Sequence, residues 1–591
     1  AEMIENIKQK LWHNEPQYND EQQTISHYDE NDAIAIVGLN CRFPEAANPD
    51  EFWKMLCEGK SAIKTVKRQS WLKSSHQTKA ALLDNPYTFD PLFFGISPKE
   101  ALAMDPLQRQ FMEVAWGALE QSGYGGDRLC QQTGIFVGVE QSSYAEHFLG
   151  GQFYQRIKQQ IGGERFNMMS KEMADELLSM LREQLEPADL VADAAAGIGL
   201  NEIASRLSHF LNMSGPSLTL NSACSSSLVA LEQAVTQLRN GQIEMAMVGG
   251  INLCLSDTVK SILDKAGALS PSGNCAPFDD SADGMVLGEG VGVVILKPLL
   301  QAQKDGDYIY SVIREVSLNN DGHSQGITVP NPEGQAQCIS KAYKKSGINP
   351  SSVSYVECHG TGTPLGDPIE IQSMSQVFKD TGKGSYRIGS VKSSIGHMLA
   401  ASGMGGLIKL CLMFKNKKLV PTVNYKKLNK HIDLKASPFN VQDSLETWVS
   451  PQAEILRAGL NSFGFGGTNA HVILEQAPPR IHPDETPMPG TLLLQATSSS
   501  GLINVAKNVL QAMESVANYA HYFAVINRNQ RRQKHKLAIP IINPDQVKDC
   551  LQIFIKDLDR LYQDDKYYFV GHCHVKTQPQ LSWVNKQLSF S

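Results

Sequence analysis

The stretch PSLTLNSACSSSLVALEQAVTQLRNG, residues 216–241, decides the fold of this chain. Its first part, Ser217–Asn221, predicts a β-strand. Apolar residues then recur every three to four positions and predict a helix that ends at Gly241; they are Leu228, Leu231, Val235 and Leu238. A strand that turns at once into a helix is the repeating unit of an α/β fold, and Cys224 lies at the turn.

Cys224 is the first candidate for chemistry, because the turn places its thiol at the N-terminus of a helix. The free backbone N–H groups and the dipole at such a position favour the thiolate form of a cysteine. The neighbours Ser222, Ala223 and Ser225 are small and leave room for a bulky acyl group on the sulfur. The alternative is a buried cysteine that only packs at the start of a core helix, which is the usual fate of a free thiol.

Two histidines occupy turns of the same kind. His359 ends the strand-like start of VECHGTGTPLGDPIE, residues 356–370, and a Gly/Thr loop follows it. Lys392 and His397 lie at the strand-to-helix turn of GSVKSSIGHMLAASGMGGLIK, residues 389–409. One loop histidine is more often structural. A thiol and two imidazoles, each at a strand end where α/β folds expose functional groups, predict an active site with a cysteine nucleophile.

The composition excludes several classes of protein. The chain has 591 residues, 42% hydrophobic and 19% charged, as in an ordinary folded enzyme. Its 54 basic and 61 acidic side chains give a net charge of −7, whereas nucleic-acid-binding modules carry basic stripes. No apolar run reaches the roughly 18 residues that suggest a membrane span, and the polar N-terminus has no signal core. We therefore expect a cytoplasmic protein that binds neither nucleic acid nor membrane.

Three patterns that could suggest other chemistry are set aside. The eleven cysteines show no CxxC pair or regular spacing, which argues against a disulfide framework and a zinc site. The sequence GHSQG, residues 322–326, matches a nucleophile elbow, but the prolines that follow prevent the required helix, so Ser324 is rejected as a nucleophile. The cluster GHCH, residues 571–574, lacks the ligand spacing of a metal site.

Composition shifts divide the chain. Residues 1–32 form a polar N-terminal linker, and the first domain covers 33–475, with a polar insertion at about 145–196. In that insertion a four-residue apolar repeat from Met173 to Leu185 predicts an amphipathic surface helix. Crowded prolines mark a boundary at about 476, and residues 476–591 are interpreted as a small α/β unit. Gly-rich turns before apolar strands at 282–297 and 461–475 suggest two halves of similar plan.

The motifs together resemble the β-ketoacyl synthase (ketosynthase) family of polyketide and fatty acid synthases. They are SACSSSL around Cys224, ECHGTGTPLGDPIE around His359, KSSIGHMLAASG around His397, and NSFGFGGTNAH from Asn461 to His471. The resemblance implies a thiolase-like fold, with two similar halves layered α-β-α-β-α, followed by a small α/β flanking subdomain. It also implies a homodimer that works beside the other domains of a modular polyketide synthase, of the type whose acyltransferase acts in trans.

The resemblance implies a role for each matching residue. Cys224 takes an acyl chain from the phosphopantetheine of an acyl carrier protein, while His359 and His397 hold the malonyl thioester as carbon dioxide leaves, supported by Lys392. The backbone N–H groups of Cys224 and Phe465 form the oxyanion hole, and Phe465 also gates the acyl pocket. The positions expected to bind pantetheine or substrate are Thr361, Thr363, Asn461 and Phe463. No cofactor is bound permanently, because the substrates arrive on carrier proteins.

Two departures from the family pattern leave alternatives open. Leu399 stands where polyketide ketosynthases usually carry glutamate, and Asn221 stands where aspartate is commoner. The leading hypothesis is an elongating ketosynthase that performs decarboxylative Claisen condensation. The alternatives are a non-elongating ketosynthase that only transfers acyl chains, a ketosynthase that branches them by conjugate addition, and an inactive scaffold for carrier-protein docking. A degradative thiolase needs a second cysteine in the C-terminal Gly-rich loop, which is missing from residues 461–471.

Overall fold

The structure is a computed structural model, and it describes residues 32–66, 79–125, 129–161, 170–185, 193–324, 326–378, 386–432, 437–450, 455–479, 488–496, 499–514, 518–528, 535–561 and 568–569. The expected N-terminal linker, apart from residue 32, and the GHCH cluster at 571–574 lie outside the described residues.

The strands run in chain order as β1 Ile34–Arg42, β2 Lys64–Thr65, β3 Lys79–Ala80, β4 Thr133–Gly138, β5 Ser217–Leu220, β6 Met245–Asn252, β7 Gly290–Pro298, β8 Ser311–Asn320, β9 Tyr355–Glu357, β10 Tyr386–Gly389, β11 Lys418–Leu419, β12 Phe439–Val441, β13 Glu446–Thr447, β14 Arg457–Phe463, β15 Thr468–Gln476, β16 Thr491–Ala496, β17 His535–Pro540 and β18 Tyr568–Phe569.

The described α-helices are α1 Pro49–Cys57, α2 Pro98–Ala103, α3 Pro106–Ser122, α4 Ala145–Ile161, α5 Lys171–Leu185, α6 Ala194–Gly197, α7 Glu202–Leu211, α8 Ser226–Arg239, α9 Thr258–Lys265, α10 Leu299–Lys304, α11 Pro332–Ser346, α12 Gly366–Val377, α13 Lys392–Ile395, α14 Ser402–Asn416, α15 Ser499–Ala512, α16 Tyr519–Arg528 and α17 Pro544–Leu561.

Eleven strands form one continuous ladder in the order β12-β10-β9-β14-β15-β8-β1-β7-β6-β4-β5. The first half reads β1-β7-β6-β4-β5 from the centre outward, and the second reads β8-β15-β14-β9-β10. Each half therefore uses its strands in the same order, with three parallel strands followed by antiparallel ones, and the halves meet where β1 pairs antiparallel with β8. The two halves of similar plan that the sequence suggested are thus confirmed.

Helices α8 and α14 form the layer between the two halves of the sheet. Every residue of α14 from Ser402 to Phe414 is buried, as expected for a helix that is covered on all sides. Side chains of β1 alternate between two cores: Ile34 and Ile36 pack with α8 and α14, while Ala35 and Val37 face α3 and α7. In the second half, α11 and α12 cover the outer face. These layers confirm the predicted thiolase-like α-β-α-β-α plan.

The C-terminal part of the described chain is a small α/β unit with its own core. Strands β16 and β17 pair antiparallel, β17 and β18 pair parallel, and α15 and α17 supply buried apolar residues to the core of this unit. Strand β15 of the large sheet ends at Gln476, and β16 starts a separate sheet at Thr491. The flanking subdomain is therefore present, while the residue limits 33–475 and 476–591 stay a prediction.

The insertion at 145–196 contains a pair of helices. The predicted amphipathic helix is α5, and it packs against α4 rather than on the main core. Among its described side chains none is fully buried, and Met173 and Met180 are exposed.

Candidate active site

Cys224 sits on a strained turn between β5 and α8. The residue before it, Ala223, has φ = 54°, which is left-handed backbone that residues other than glycine rarely adopt. Local hydrogen bonds hold this conformation: the Ala223 N–H donates to Asn221 Oδ1 at 3.0 Å, and the Ser226 hydroxyl donates to the Ala223 carbonyl at 2.6 Å. The predicted strand-turn-helix unit is confirmed, with its helix ending before Gly241 at φ = 65°.

The Gly-rich loop after β14 packs directly on this turn. A Cβ on Gly464 would lie 2.4 Å from the Ser222 carbonyl oxygen, so only glycine permits the approach. The Ser462 hydroxyl donates to the Cys224 carbonyl at 2.8 Å. The backbone N–H groups of Phe465 and of Cys224 itself both donate toward the Cys224 sulfur. Two backbone donors thus converge at the Cys224 sulfur.

The electrostatics of Cys224 differ from the expectation of a favoured thiolate. The pKa of the Cys224 thiol is raised to about 11, chiefly by burial and also by the Glu140 carboxylate, while the Phe465 N–H and the Lys392 ammonium oppose the rise. The thiol lies two residues before α8, and loss of solvent outweighs the backbone donors there. The resting site therefore holds a neutral thiol.

The two histidines face each other, with ring centroids 5.6 Å apart and ring planes at 83°. His397 Nδ1 accepts from the Leu399 N–H at 3.0 Å and lies 2.9 Å from the Ser402 hydroxyl. His359 Nδ1 accepts from the Phe463 N–H at 3.4 Å. A ring nitrogen that accepts carries no hydrogen in a neutral imidazole, so the hydrogen of each ring is assigned to Nε2.

Both imidazoles are neutral at physiological pH. Burial, with the nearby Lys392 ammonium, holds the pKa of His359 and of His397 well below the ordinary value of 6.5. Two neutral rings with Nε2–H groups are hydrogen-bond donors and weak bases. This arrangement suits the stabilisation of a developing oxyanion or enolate.

Lys392 lies behind the histidines rather than on the cavity wall. Its ammonium donates to the His359 carbonyl at 2.5 Å, its side chain is buried, and burial lowers its pKa. The buried Glu370 carboxylate accepts from the backbone N–H groups of His359 at 2.7 Å and Gly360 at 2.8 Å. The loop that carries His359 is thus fixed from both sides.

One cavity of about 510 Å³ brings most of the predicted residues together; they are Cys224, His359, Thr361, Thr363, His397, Phe463 and Phe465. The ring of Phe465 is 55% exposed, and Phe463 packs 5.8 Å from the His359 ring. The Thr361 and Thr363 hydroxyls lie 3.1 Å apart. The departure Leu399 also lines the cavity, with φ = 42°.

Asn461, like Lys392, is a predicted residue that does not line the cavity. Its amide nitrogen donates to Glu370 Oε1 at 2.9 Å, and its Oδ1 lies 2.7 Å from His471 Nδ1. Both ends of the side chain are therefore engaged inside the core, and the expected contact with pantetheine or substrate stays a prediction. Asn461 instead holds the carboxylate that fixes the His359 loop.

Sequence reasoning missed several residues that shape the site. Glu370 was quoted within a motif without a role, although an acidic residue just after a Gly/Thr loop is a natural acceptor for loop N–H groups. Ser402 lies in the helix after His397 and had no distinguishing signal. Glu140 follows β4 and lines the cavity beside Cys224, and no motif marks it.

No metal or membrane feature was found in the part of the chain that the structure describes. Within those residues no group of three His, Cys, Asp or Glu side chains could hold a metal ion. No helix of the same residues combines the length and apolar character of a bilayer span.

Family models match most of the chain. Residues 31–302 match the β-ketoacyl synthase N-terminal domain, residues 310–426 match its C-terminal domain, and residues 429–539 match the ketoacyl-synthetase C-terminal extension. The chain belongs to the β-ketoacyl synthase family.

The curated relatives and solved structures narrow the class to the ketosynthase condensing domains of polyketide synthases. Polyketide synthase PksN of Bacillus subtilis is 37% identical over 512 residues, which cover 81% of this chain and 9% of that protein. One polypeptide of the phenolphthiocerol/phthiocerol polyketide synthase of Mycobacterium tuberculosis is 39% identical, over 77% of this chain and 20% of that polypeptide. This chain therefore spans only a fraction of the length of these relatives.

Solved ketosynthases have the same fold. The ketosynthase from module 1 of the bacillaene synthase of Bacillus amyloliquefaciens superposes with a TM-score of 0.74 at 31% identity, covering 89% of each chain. The ketosynthase from module 6 of the bacillaene synthase of Bacillus subtilis gives a TM-score of 0.72 at 32% identity, covering 89% of this chain and 85% of that one.

Proposed function

We propose that this chain is an elongating ketosynthase that accepts an acyl chain on Cys224 and extends it by decarboxylative condensation with a malonyl thioester. The observation that carries the proposal is the pair of neutral imidazoles with Nε2–H donors, 5.6 Å apart, on the cavity that contains the Cys224 thiol. A ketosynthase that only transferred acyl chains would need the thiol and the oxyanion hole, but not this pair of donors.

In the first step the Cys224 sulfur attacks the carbonyl of an acyl thioester held on phosphopantetheine. The S–C bond to Cys224 forms, the S–C bond to the carrier breaks, and the thiol proton passes to the departing pantetheine sulfur. The N–H groups of Cys224 and Phe465 stabilise the tetrahedral oxyanion. We assign Thr361 and Thr363 to the pantetheine arm, because both line the same cavity.

In the second step the malonyl thioester loses its carboxylate as carbon dioxide, and its carbonyl oxygen becomes an enolate oxygen. The Nε2–H groups of His359 and His397 donate to that oxygen and stabilise the charge that develops there. The enolate carbon then forms the new C–C bond to the acyl carbonyl, and the S–C bond to Cys224 breaks. Lys392 holds the His359 backbone throughout.

The partners follow from this chemistry. Acyl carrier proteins deliver both substrates, and the chain works as one domain of a modular polyketide synthase in the cytoplasm. The likeness to the bacillaene ketosynthases supports the type of synthase whose acyltransferase acts in trans. A homodimer is supported by β5, which ends the large sheet and pairs there with β4 alone among the described strands.

The test follows intact mass after incubation with acyl and then malonyl carrier protein. We expect acylation of Cys224, release of carbon dioxide and a lengthened chain on the carrier. Cys224→Ala abolishes loading, His397→Ala spares loading and impairs decarboxylation, and Cys57→Ser, a thiol outside the cavity, changes neither. Loading without carbon dioxide release or elongation would refute the proposal and favour acyl transfer; a conjugate-addition product would favour branching.

A further inference from the structure

Glu140 lies at the end of a strand that points into the acyl cavity. Strands β4 and β5 are parallel and adjacent, with Gly138 opposite Leu220. Glu140 follows β4 by two residues, and its backbone carbonyl accepts from the Asn221 amide at 3.0 Å. This bond ties Glu140 to the turn that carries Cys224, and both residues line the same cavity.

The two similar halves of the fold give Glu140 a counterpart, His359, in the second half. Strand β4 of the first half corresponds to β9 of the second, as shown by the shared strand order. His359 follows β9 by two residues, just as Glu140 follows β4 by two. One half therefore presents an imidazole to the cavity from the place where the other half presents a carboxylate.

The charge of the Glu140 carboxylate costs the folded protein free energy. Among the described residues no hydrogen bond or ion pair reaches it, although it is largely removed from solvent and burial raises its pKa. It also raises the pKa of the Cys224 thiol, which works against the nucleophile. A partly buried, unpaired charge costs free energy unless a partner is supplied, and here the partner must come from what enters the cavity.

The cavity also has an apolar part, lined by Val259, Ile262, Leu263, Met285 and Leu399. No cation among the described side chains perturbs Glu140, since burial alone accounts for the shift of its pKa. A hydroxyl on the acyl chain would give the carboxylate a hydrogen bond but leave its charge uncompensated. A protonated amine would supply both.

We propose that Glu140 is a specificity-determining residue that selects acyl chains bearing an ammonium group a few bonds from the thioester carbonyl. The inference rests on the proposed loading of Cys224 and adds the class of acyl substrate. The hydrogen-bonded ion pair orients the chain along the cavity and places its carbonyl at the N–H groups of Cys224 and Phe465. The aliphatic carbons between the two ends lie against the apolar wall.

The experiment compares three N-acetylcysteamine thioesters of equal chain length: 3-aminopropionyl, 3-hydroxypropionyl and butyryl. In each case the S–C bond to Cys224 forms, the S–C bond to N-acetylcysteamine breaks, and the thiol proton leaves with that thiol. Acylation rates are followed by intact mass for the unmodified protein, for Glu140→Gln and for the control Glu146→Gln. Glu146 is exposed, outside the cavity, and bonded to the Thr258 hydroxyl.

We expect the unmodified protein and Glu146→Gln to prefer 3-aminopropionyl over butyryl by roughly tenfold or more, the effect of one charge-assisted hydrogen bond. Glu140→Gln should remove that preference and load butyryl faster, because the charge that opposes the thiolate is gone. Equal rates for the amine and the methyl analogue, a preference for the hydroxyl analogue, or a preference that survives Glu140→Gln would each overturn the inference.

The proposed function and the role of Glu140 can be refuted separately. If no thioester, butyryl included, acylates Cys224, the proposed function is wrong; if butyryl loads without any preference for the amine, only the role of Glu140 is wrong. A second measurement does not need a substrate: iodoacetamide should alkylate Cys224 faster in Glu140→Gln than in Glu146→Gln. Should Glu140→Gln fail to fold, the comparison of the three thioesters on the unmodified protein still decides.

Discussion

Loss of one partner of a buried ion pair should destabilise the protein and disturb both histidines. Lys409 on α14 and Glu357 at the end of β9 are each 1% exposed, with Nζ 2.6 Å from Oε2. The Tyr355 hydroxyl lies 2.9 Å from the ammonium, and Glu357 Oε1 accepts from the Val391 N–H at 2.6 Å. Lys409→Met removes the cation and leaves the carboxylate buried. The free energy of unfolding should then fall by about 3–5 kcal/mol.

The pair also links the two segments that carry the imidazoles. Glu357 lies two residues before His359, and Lys409 lies on the helix whose first residue, Ser402, contacts His397. Displacement of β9 relative to α14 should change the separation of the rings. We therefore expect Lys409→Met to slow decarboxylation of a malonyl thioester more than acylation of Cys224.

The assay is a guanidinium titration followed by tryptophan fluorescence, combined with loading and decarboxylation rates. The double variant Glu357→Gln/Lys409→Met is neutral at both positions and should recover most of the lost stability, because no charge stays buried. Lys415→Met, an exposed lysine of the same helix, should cost less than about 1 kcal/mol. A loss below about 1 kcal/mol for Lys409→Met, or a double variant as unstable as Lys409→Met, would refute the reasoning.

Three further predictions test the site. Gly464→Ala should lower the rate of Cys224 acylation roughly 10- to 100-fold, because its Cβ would lie 2.4 Å from the Ser222 carbonyl oxygen and displace the loop that carries Phe465. The control is Gly490→Ala, which has open space around its Cβ and should match the unmodified protein. Ser402→Ala removes one of the two groups at His397 Nδ1 and should slow decarboxylation about fivefold, the effect of about 1 kcal/mol, without slowing loading; unchanged decarboxylation would contradict it. Because the pKa values of His359 and His397 are lowered, both rings stay neutral as the pH falls from about 7.5 to about 6, and single-turnover condensation should stay level where an ordinary histidine would gain a proton. A rate that halves near pH 6.5 would show that one ring titrates normally.

Local patterns were sufficient to find the thiol and the two imidazoles that share the cavity. The strand and helix around Cys224 follow from residues 216–241 alone, and the turns of His359 and His397 follow from similar short stretches. The internal repeat was only faint in sequence, because the two Gly-rich turns at 282–297 and 461–475 share a plan rather than residues. It became visible through the matching strand order of the two halves.

The residues that the sequence did not mark, and the surroundings of Asn461, depend on contacts between residues that are far apart in sequence. Glu357 and Lys409 pair across 52 positions, and no pattern within one segment marks them as partners. Asn461 lies on the same face of β14 as Phe463, since they are two positions apart, but it is about 6.6 Å further from the strand end that opens on the cavity. That distance brings its amide to Glu370 and His471. The sequence therefore predicts which face of a strand a side chain occupies, but not how far that side chain lies from the cavity.

The repeated halves explain why so few positions carry the chemistry. In each half two adjacent parallel strands end at one edge of the sheet, β4 with β5 and β9 with β10, and the carboxyl ends of parallel strands are where α/β folds bind ligands. The segments after these four strands supply Glu140, Cys224, His359 and His397, all on one cavity. Cys224 follows β5 and His397 follows its counterpart β10, as Glu140 follows β4 and His359 follows β9, so the thiol from one half and both imidazoles from the other line one cavity. Because the four positions lie on separate segments of a shared frame, a change at Glu140 can alter the acyl chain that is accepted while the thiol and both imidazoles keep their places.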